Sequence, residues 1–140
     1  MIAFDSSVLV AALLSWHEQH ERAARALSRA MESKVDVIIP VHALIEAYAV
    51  MTRLPAPHRI SPADALALLH DNFSASHLAS LRTDAVFPLL KRLAADGIAG
   101  GTTYDAIILR ATEEAGATSL LTLNERDYLR LTPRADIIAV

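Results

Sequence analysis

The stretch from Met1 to Ala12, M-I-A-F-D-S-S-V-L-V-A-A, contains the junction that indicates the fold class. Its first apolar run, Ile2 to Phe4, is too short for a helix, whereas the run from Val8 to Leu14 is long enough for one. The chain is therefore predicted to pass from a strand to a helix at Asp5, which would lie at the carboxyl end of a buried strand. Ligands of open α/β sheets bind at that edge, although Asp5 could also be only a helix cap.

The remainder of the chain alternates between short β-branched runs and longer amphipathic segments. Further strands are predicted over 35–39, 78–81, 119–123 and 137–140, and helices over 18–31, 40–53, 61–73, 83–95, 104–115 and 125–131. Strands that alternate with helices predict an α/β fold with a central parallel sheet, both faces of which are covered by helices. There is no internal repeat or linker, so residues 1–140 are expected to form a single domain.

Composition narrows the class of protein. The chain has 140 residues, of which 53% are hydrophobic, and it has a net charge of -3 and no cysteine. The acidic balance argues against a protein that coats nucleic acid non-specifically, and the lack of cysteine excludes a thiolate zinc site. No apolar stretch is long enough to span a membrane and no signal peptide is recognisable, so a soluble cytoplasmic protein is expected.

Four acidic positions share the same kind of surroundings. Asp5 follows the first strand, Glu46 lies in the helix after the second, and Asp105 begins the helix after a glycine-rich loop. Asn124 and Asp127 follow the strand that contains Leu120 to Thr122. In a doubly wound sheet all of these can approach the carboxyl edge of the central strands, although each could also be an ordinary solvated or helix-capping residue.

Carboxylates that converge in this way would repel one another. At about 4 Å and an effective dielectric constant near 20, each close pair costs about 4 kcal/mol, so the cluster needs protons or cations. Oxygen ligands without cysteine favour Mg²⁺ or Mn²⁺ over zinc. Such a site can activate water for an in-line phosphoryl displacement, the chemistry of metal-dependent nucleases.

Four segments, in order along the chain, carry a family resemblance. They are F-D-S-S-V-L-V-A-A-L, P-V-H-A-L-I-E-A-Y-A-V, Y-D-A-I-I-L-R-A and L-L-T-L-N-E-R-D-Y-L-R-L. Together they resemble the motifs of PIN-domain ribonucleases, and in particular the VapC-type toxins of toxin-antitoxin systems. The resemblance covers nearly the whole chain and implies a PIN-like three-layer α/β/α sandwich.

The resemblance also implies a function and a site. It implies an endoribonuclease that depends on Mg²⁺ or Mn²⁺, acts on an RNA substrate, is inhibited by a small cognate antitoxin and forms a homodimer. Asp5, Glu46 and Asp105 match the three best-defined acids of the family, and Ser7 matches a hydroxyl residue near the metal. Asn124 stands where many PIN domains have aspartate, so Asp127 is predicted to be the fourth acid, as both a metal ligand and a catalytic residue.

Two other functions remain open at this point. One is a catalytically silent PIN-like module that binds RNA or a partner, against which the intact acids Asp5, Glu46 and Asp105 argue. The other is a receiver-like phosphoacceptor, which would need a late lysine, whereas the only lysines are Lys34 and Lys91. His42, one turn before Glu46, could reach the site or the substrate, but a packed or capping histidine is the simpler interpretation.

Overall fold

A computed structural model describes residues 1–140 and contains one parallel sheet of five strands. The strands are β1 (Ile2–Phe4), β2 (Val37–Pro40), β3 (His77–Ala79), β4 (Ser119–Thr122) and β5 (Asp136–Ala139). Their order across the sheet is β3-β2-β1-β4-β5, and every neighbouring pair is parallel. The first strand of the sequence is therefore the central strand of the sheet.

Seven α-helices connect the strands. They are α1 (Ser6–Leu13), α2 (His20–Glu32), α3 (Val41–Arg53), α4 (Pro62–Phe73), α5 (Val86–Ala95), α6 (Thr102–Glu114) and α7 (Glu125–Leu129), with a 3-10 turn at Thr83–Ala85. Right-handed crossovers put α1 to α4 on one face of the sheet and α6 and α7 on the other. In agreement, α1 packs against α2 and α3, α3 packs against α4, and α6 packs against α7. The α/β/α sandwich predicted from the sequence is confirmed.

The predicted elements are all present, with shifted boundaries. The second strand begins at Val37 instead of Val35, because its pairing with the central strand starts where Ile2 lies opposite Val37. Pro40 ends that strand and is the N-cap of α3, and its missing N–H costs no bond at this position. Helix α6 begins two residues before Tyr104, at Thr102, directly after the glycine pair.

The core is a continuous cluster that includes residues of the four strands β1 to β4. Ala3, Phe4, Ile38, Ile39 and Leu120 are completely buried, as expected for strands covered on both faces. Among the helices, none has both the length and the apolar character needed to cross a bilayer. A rigid sheet of this kind fixes the positions of the loops that leave its carboxyl edge, where the predicted acids lie.

Candidate active site

Asp5 is the most tightly held of the predicted acids. It follows β1 directly, is the N-cap of α1, and is only 1% exposed. Its Oδ1 atom accepts hydrogen bonds from the Ser7 hydroxyl at 2.6 Å and from the Val8 N–H at 3.1 Å, and its Oδ2 atom accepts one from the Thr122 hydroxyl at 2.7 Å. Both the capping role and the edge position predicted for Asp5 are therefore present in one residue.

The two hydroxyl groups that bind Asp5 are themselves oriented by the backbone. Ser7 Oγ accepts a hydrogen bond from Leu123 N–H at 3.0 Å, and Thr122 Oγ1 accepts one from Asn124 N–H at 2.8 Å. Since each oxygen accepts from a backbone N–H, its own proton is directed to the carboxylate. We call this arrangement of Asp5, Ser7 and Thr122 the hydroxyl clamp. It joins the ends of β1 and β4, which are neighbours in the sheet.

Despite these hydrogen bonds, the pKa of Asp5 is raised above its usual range. Burial is the main cause, and the negative charge of Glu46 acts in the same direction. The hydrogen bonds from Ser7, Thr122 and Val8 oppose the shift without cancelling it. Burial and a neighbouring like charge thus disfavour the ionised form of Asp5, and a nearby cation would offset both effects.

Asp105 lies where the charges of the other three predicted acids reach it. It lies in the first turn of α6 and is half-buried. Its pKa is raised to about 7, first by burial and then by the negative charges of Glu46, Asp5 and Asp127. The charges of three carboxylates that are distant in sequence therefore reach Asp105 at the carboxyl edge, and we call this region the acid pocket.

Two buried polar atoms in the molecule lack a hydrogen-bond partner, and both belong to the acid pocket. They are Oε2 of Glu46 and the hydroxyl oxygen of Tyr128. The Tyr128 hydroxyl lies near Asp5 without reaching hydrogen-bond geometry, and its pKa is raised by burial and by the charges of Asp5, Asp105 and Glu46. A buried carboxylate oxygen without a partner is costly, and a bound cation would satisfy it.

The donor set of the acid pocket fits a hard divalent cation. It offers carboxylate and hydroxyl oxygens and no sulfur, as Mg²⁺ and Mn²⁺ prefer. No group of three or more histidine, aspartate or glutamate side chains lies close enough to form a finished ligand set. In such a set Asp5 would be the acid that is already fixed in place, by the hydroxyl clamp. The side chains of Glu46 and Asp105 would have to approach it to complete the set.

Asp127 and Asn124 differ in their relation to the pocket. Asp127 is half-buried in α7, and its charge contributes to the raised pKa of Asp105. The Asn124 residue is exposed, and its contact in this region is the backbone N–H that bonds Thr122. Of these two residues, Asp127 is the one whose charge reaches Asp105, and its assignment as the fourth acid stays a prediction.

Thr122 and Tyr128 were not predicted from the sequence. Thr122 is completely buried at the end of an otherwise apolar strand, and a polar residue at that place is a usable signal for a site. Tyr128 is completely buried within a short helix of mostly charged residues. Its hydroxyl could be assigned to the pocket only once the packing of α7 on the sheet was known.

A cleft with many charged residues in its lining is separate from the acid pocket. It has a volume of about 730 Å³, lies beside α5 and α6, and is lined by four arginines and four acids. Its arginines all have acidic partners, in the pairs Arg82–Asp84, Arg92–Asp96, Arg110–Glu114 and Arg134–Glu113. Since its charges are already compensated, the cleft lacks the electrostatic character of the acid pocket.

Comparison with known proteins identifies relatives over the whole chain. The sequence model of the PIN domain family matches residues 2–132. Ribonuclease VapC40 of Mycobacterium tuberculosis is 42% identical over 141 residues, which cover 99% of each chain.

Two solved structures share the fold. One is VapC20 of Mycobacterium tuberculosis, a toxin that cleaves the sarcin-ricin loop, with a TM-score of 0.68, 16% identity and coverage of 86% of this chain and 87% of that one. The other is DNA-bound VapBC from Salmonella typhimurium, with a TM-score of 0.69, 19% identity and coverage of 99% and 96%. The chain therefore belongs to the PIN domain family and resembles a VapC ribonuclease over its whole length.

Proposed function

We propose that this protein is a divalent-metal-dependent endoribonuclease and the toxin of a toxin-antitoxin pair. The observation that supports the proposal is that the charges of Asp5, Glu46 and Asp127 reach Asp105 at the carboxyl edge, where one buried Glu46 oxygen is left without a partner. The name of the whole-length relative, Ribonuclease VapC40, supports the same activity. We further propose that residues 1–140 form a single PIN-like domain and that the protein acts in the cytoplasm.

Each acid has a distinct part in this proposal. Asp5, Glu46, Asp105 and Asp127 would hold Mg²⁺ or Mn²⁺, and Asp5 is kept in one orientation by the hydroxyl clamp. When bound, such an ion polarises a phosphoryl oxygen and makes water a better nucleophile at neutral pH. The rigid carboxylate at Asp5 contributes because a ligand that is already oriented loses little entropy on binding.

The direct test is cleavage of RNA under controlled metal conditions. We expect purified protein to cut single-stranded RNA with Mg²⁺ or Mn²⁺, to lose all cleavage in EDTA, and to recover when metal is added in excess. Fragment patterns on a denaturing gel would be compared between structured and unstructured RNA. Cleavage that persists in EDTA would contradict the metal requirement, and a folded protein that never cleaves RNA would favour a silent binding module.

We also propose that an antitoxin and a second copy of the chain bind this protein. Complexes named VapBC are among the proteins that share the fold. The chain also exposes large apolar side chains on α5, where Phe87 is 81% exposed and Leu90 is 44% exposed. Exposed apolar surface of this kind is characteristic of partner contacts.

Asp127→Asn should weaken metal binding more than it weakens the chemistry. An amide oxygen still accepts hydrogen bonds but contributes no negative charge, so the metal concentration that gives half-maximal cleavage should rise about 10- to 100-fold. Excess Mn²⁺ should restore most of the rate. The measurement is a Mn²⁺ titration of the cleavage rate for the parent and the variant.

Neighbouring substitutions provide the controls for this titration. Glu125→Gln removes a charge from an exposed residue of the same helix, and Asn124→Ala removes the competing candidate. Both should follow the parent curve. If Asp127→Asn follows the parent curve while Asn124→Ala is shifted, then Asn124 is the fourth residue of the site.

A further inference from the structure

Two aromatic rings stack on each other at the edge of the acid pocket. The rings of His42 and Tyr104 have centroids 5.1 Å apart and planes inclined by only 16°. They come from the first turns of two different helices, α3 and α6, which are in contact. We call this pair the aromatic step.

The aromatic step lies beside the acid pocket, because each of its residues is close in sequence to one of the acids. His42 lies one helical turn before Glu46, and Tyr104 directly precedes Asp105. Those two acids lie in the first two turns of α3 and α6, which are in contact. A group bound against the aromatic step would therefore lie next to the acid pocket.

The ring of Tyr104 is available to a ligand. It is 50% exposed even though His42 is stacked on one of its faces. An exposed aromatic side chain gains nothing from the core, and Tyr104 is not part of the hydrophobic cluster. The stacked His42 ring restrains the tyrosine side chain. Less conformational entropy is therefore lost when a planar ligand group stacks on the other face of the Tyr104 ring.

The net negative charge of the protein favours RNA binding by base stacking over binding by phosphate contacts. The net charge is -3, and the acid pocket itself repels phosphate, so attraction between basic residues and the RNA backbone is weak. Stacking of a base on an aromatic ring does not depend on net charge, and every nucleobase has a face that can stack. Proteins that bind unpaired RNA commonly use aromatic rings in this way.

We infer that the aromatic step is a platform on which an unpaired nucleobase of the RNA substrate stacks, next to the scissile phosphodiester. This inference rests on the proposed ribonuclease function and adds to it a binding position for one unpaired base beside the cleavage point. Tyr104 contacts the base, and His42 positions Tyr104.

The test uses a binding signal that does not require turnover. Short single-stranded RNAs carrying 2-aminopurine, a fluorescent base that is quenched on stacking, are mixed with protein in Ca²⁺, which binds to carboxylate oxygens as Mg²⁺ does. We expect quenching with the parent and with Tyr104→Phe, which keeps the ring. Tyr104→Leu and Tyr104→Ala should lose the quenching, with a Kd raised about tenfold. In cleavage assays with Mg²⁺, KM should rise by a similar factor while kcat changes little.

A second stacked pair provides the matched control. Trp16 and His58 stack with centroids 4.1 Å apart, but they follow the ends of α1 and α3, which lead away from the carboxyl edge. Trp16→Ala and His58→Ala should bind RNA as the parent does. Parent-like quenching and KM in a folded Tyr104→Ala protein would overturn the inference. If the parent binds and quenches but does not cleave, the platform stands and the ribonuclease proposal fails.

Discussion

Replacing Asp5 with asparagine should abolish metal-dependent RNA cleavage while leaving the fold intact. A unit charge about 4 Å from a cation, at an effective dielectric constant near 20, is worth about 4 kcal/mol, so we expect a loss of at least about a thousandfold in kcat/KM. The fold should survive, because the asparagine oxygen can still accept from Ser7 and Val8. Burial already disfavours the charge at this position, as the raised pKa of Asp5 shows.

The control for Asp5→Asn is the same chemical change at the amino ends of the strands, away from the acid pocket. Asp136 is exposed at the start of β5, so Asp136→Asn should keep parental activity. Melting curves and circular dichroism would establish that both variants are folded. A folded Asp5→Asn protein that cleaves RNA at the parental rate would refute the role assigned to Asp5.

Acidification should suppress cleavage strongly when metal is limiting. The pKa of Asp105 is about 7, so protons compete with the metal for this carboxylate in the neutral range. Below that pH the ionised fraction falls about tenfold per unit, and the rate at pH 5 should be about a hundredfold below its plateau above pH 7. The measurement is kcat/KM against pH at subsaturating Mg²⁺. A flat profile from pH 5 to 8 would contradict this explanation.

The contribution of Asp105 to the stability of the metal-free protein should increase on acidification, whereas the cleavage rate should decrease. The loss of cleavage at low pH can therefore be distinguished from acid unfolding. The folded pKa of Asp105 lies above its unfolded value of about 3.9, so between the two the native state retains a proton that the unfolded chain releases. The contribution of Asp105 to the free energy of unfolding therefore falls as pH rises from about 4 to 7 and is level above that. Asp105→Asn removes this contribution, so it should melt higher than the parent at pH 8 and close to it at low pH.

Local sequence patterns predicted the strand after Met1, the helices and the four acids, because each depends on periodicity or on a neighbouring turn. They could not predict the hydroxyl clamp. Thr122 reaches Asp5 only because β4 pairs directly with β1, and strand order is a property of the whole sheet. The start of β2 was placed two residues too early for a similar reason, since its pairing register with β1 determines where Val37 begins the strand.

The aromatic step likewise could not be predicted from local sequence patterns. His42 was recognised as lying one turn before Glu46, but nothing in its surroundings indicated that it would stack on Tyr104. The two residues are brought together by contact between the first turns of α3 and α6, which originate in different crossovers. Side-chain partners across elements follow from packing, which depends on residues far away in the chain.

The hydroxyl clamp also has a consequence for the order of synthesis. Asp5 and Thr122 are separated by 117 positions, so a ribosome makes the carboxylate long before the hydroxyl that holds it. Until β4 has emerged and paired with β1, a nascent chain has Asp5 without the Thr122 bond and lacks Asp127 altogether. A growing polypeptide is thereby unable to complete the acid pocket until β4 and α7 have been made, so the pocket stays incomplete while the residues before them are synthesised.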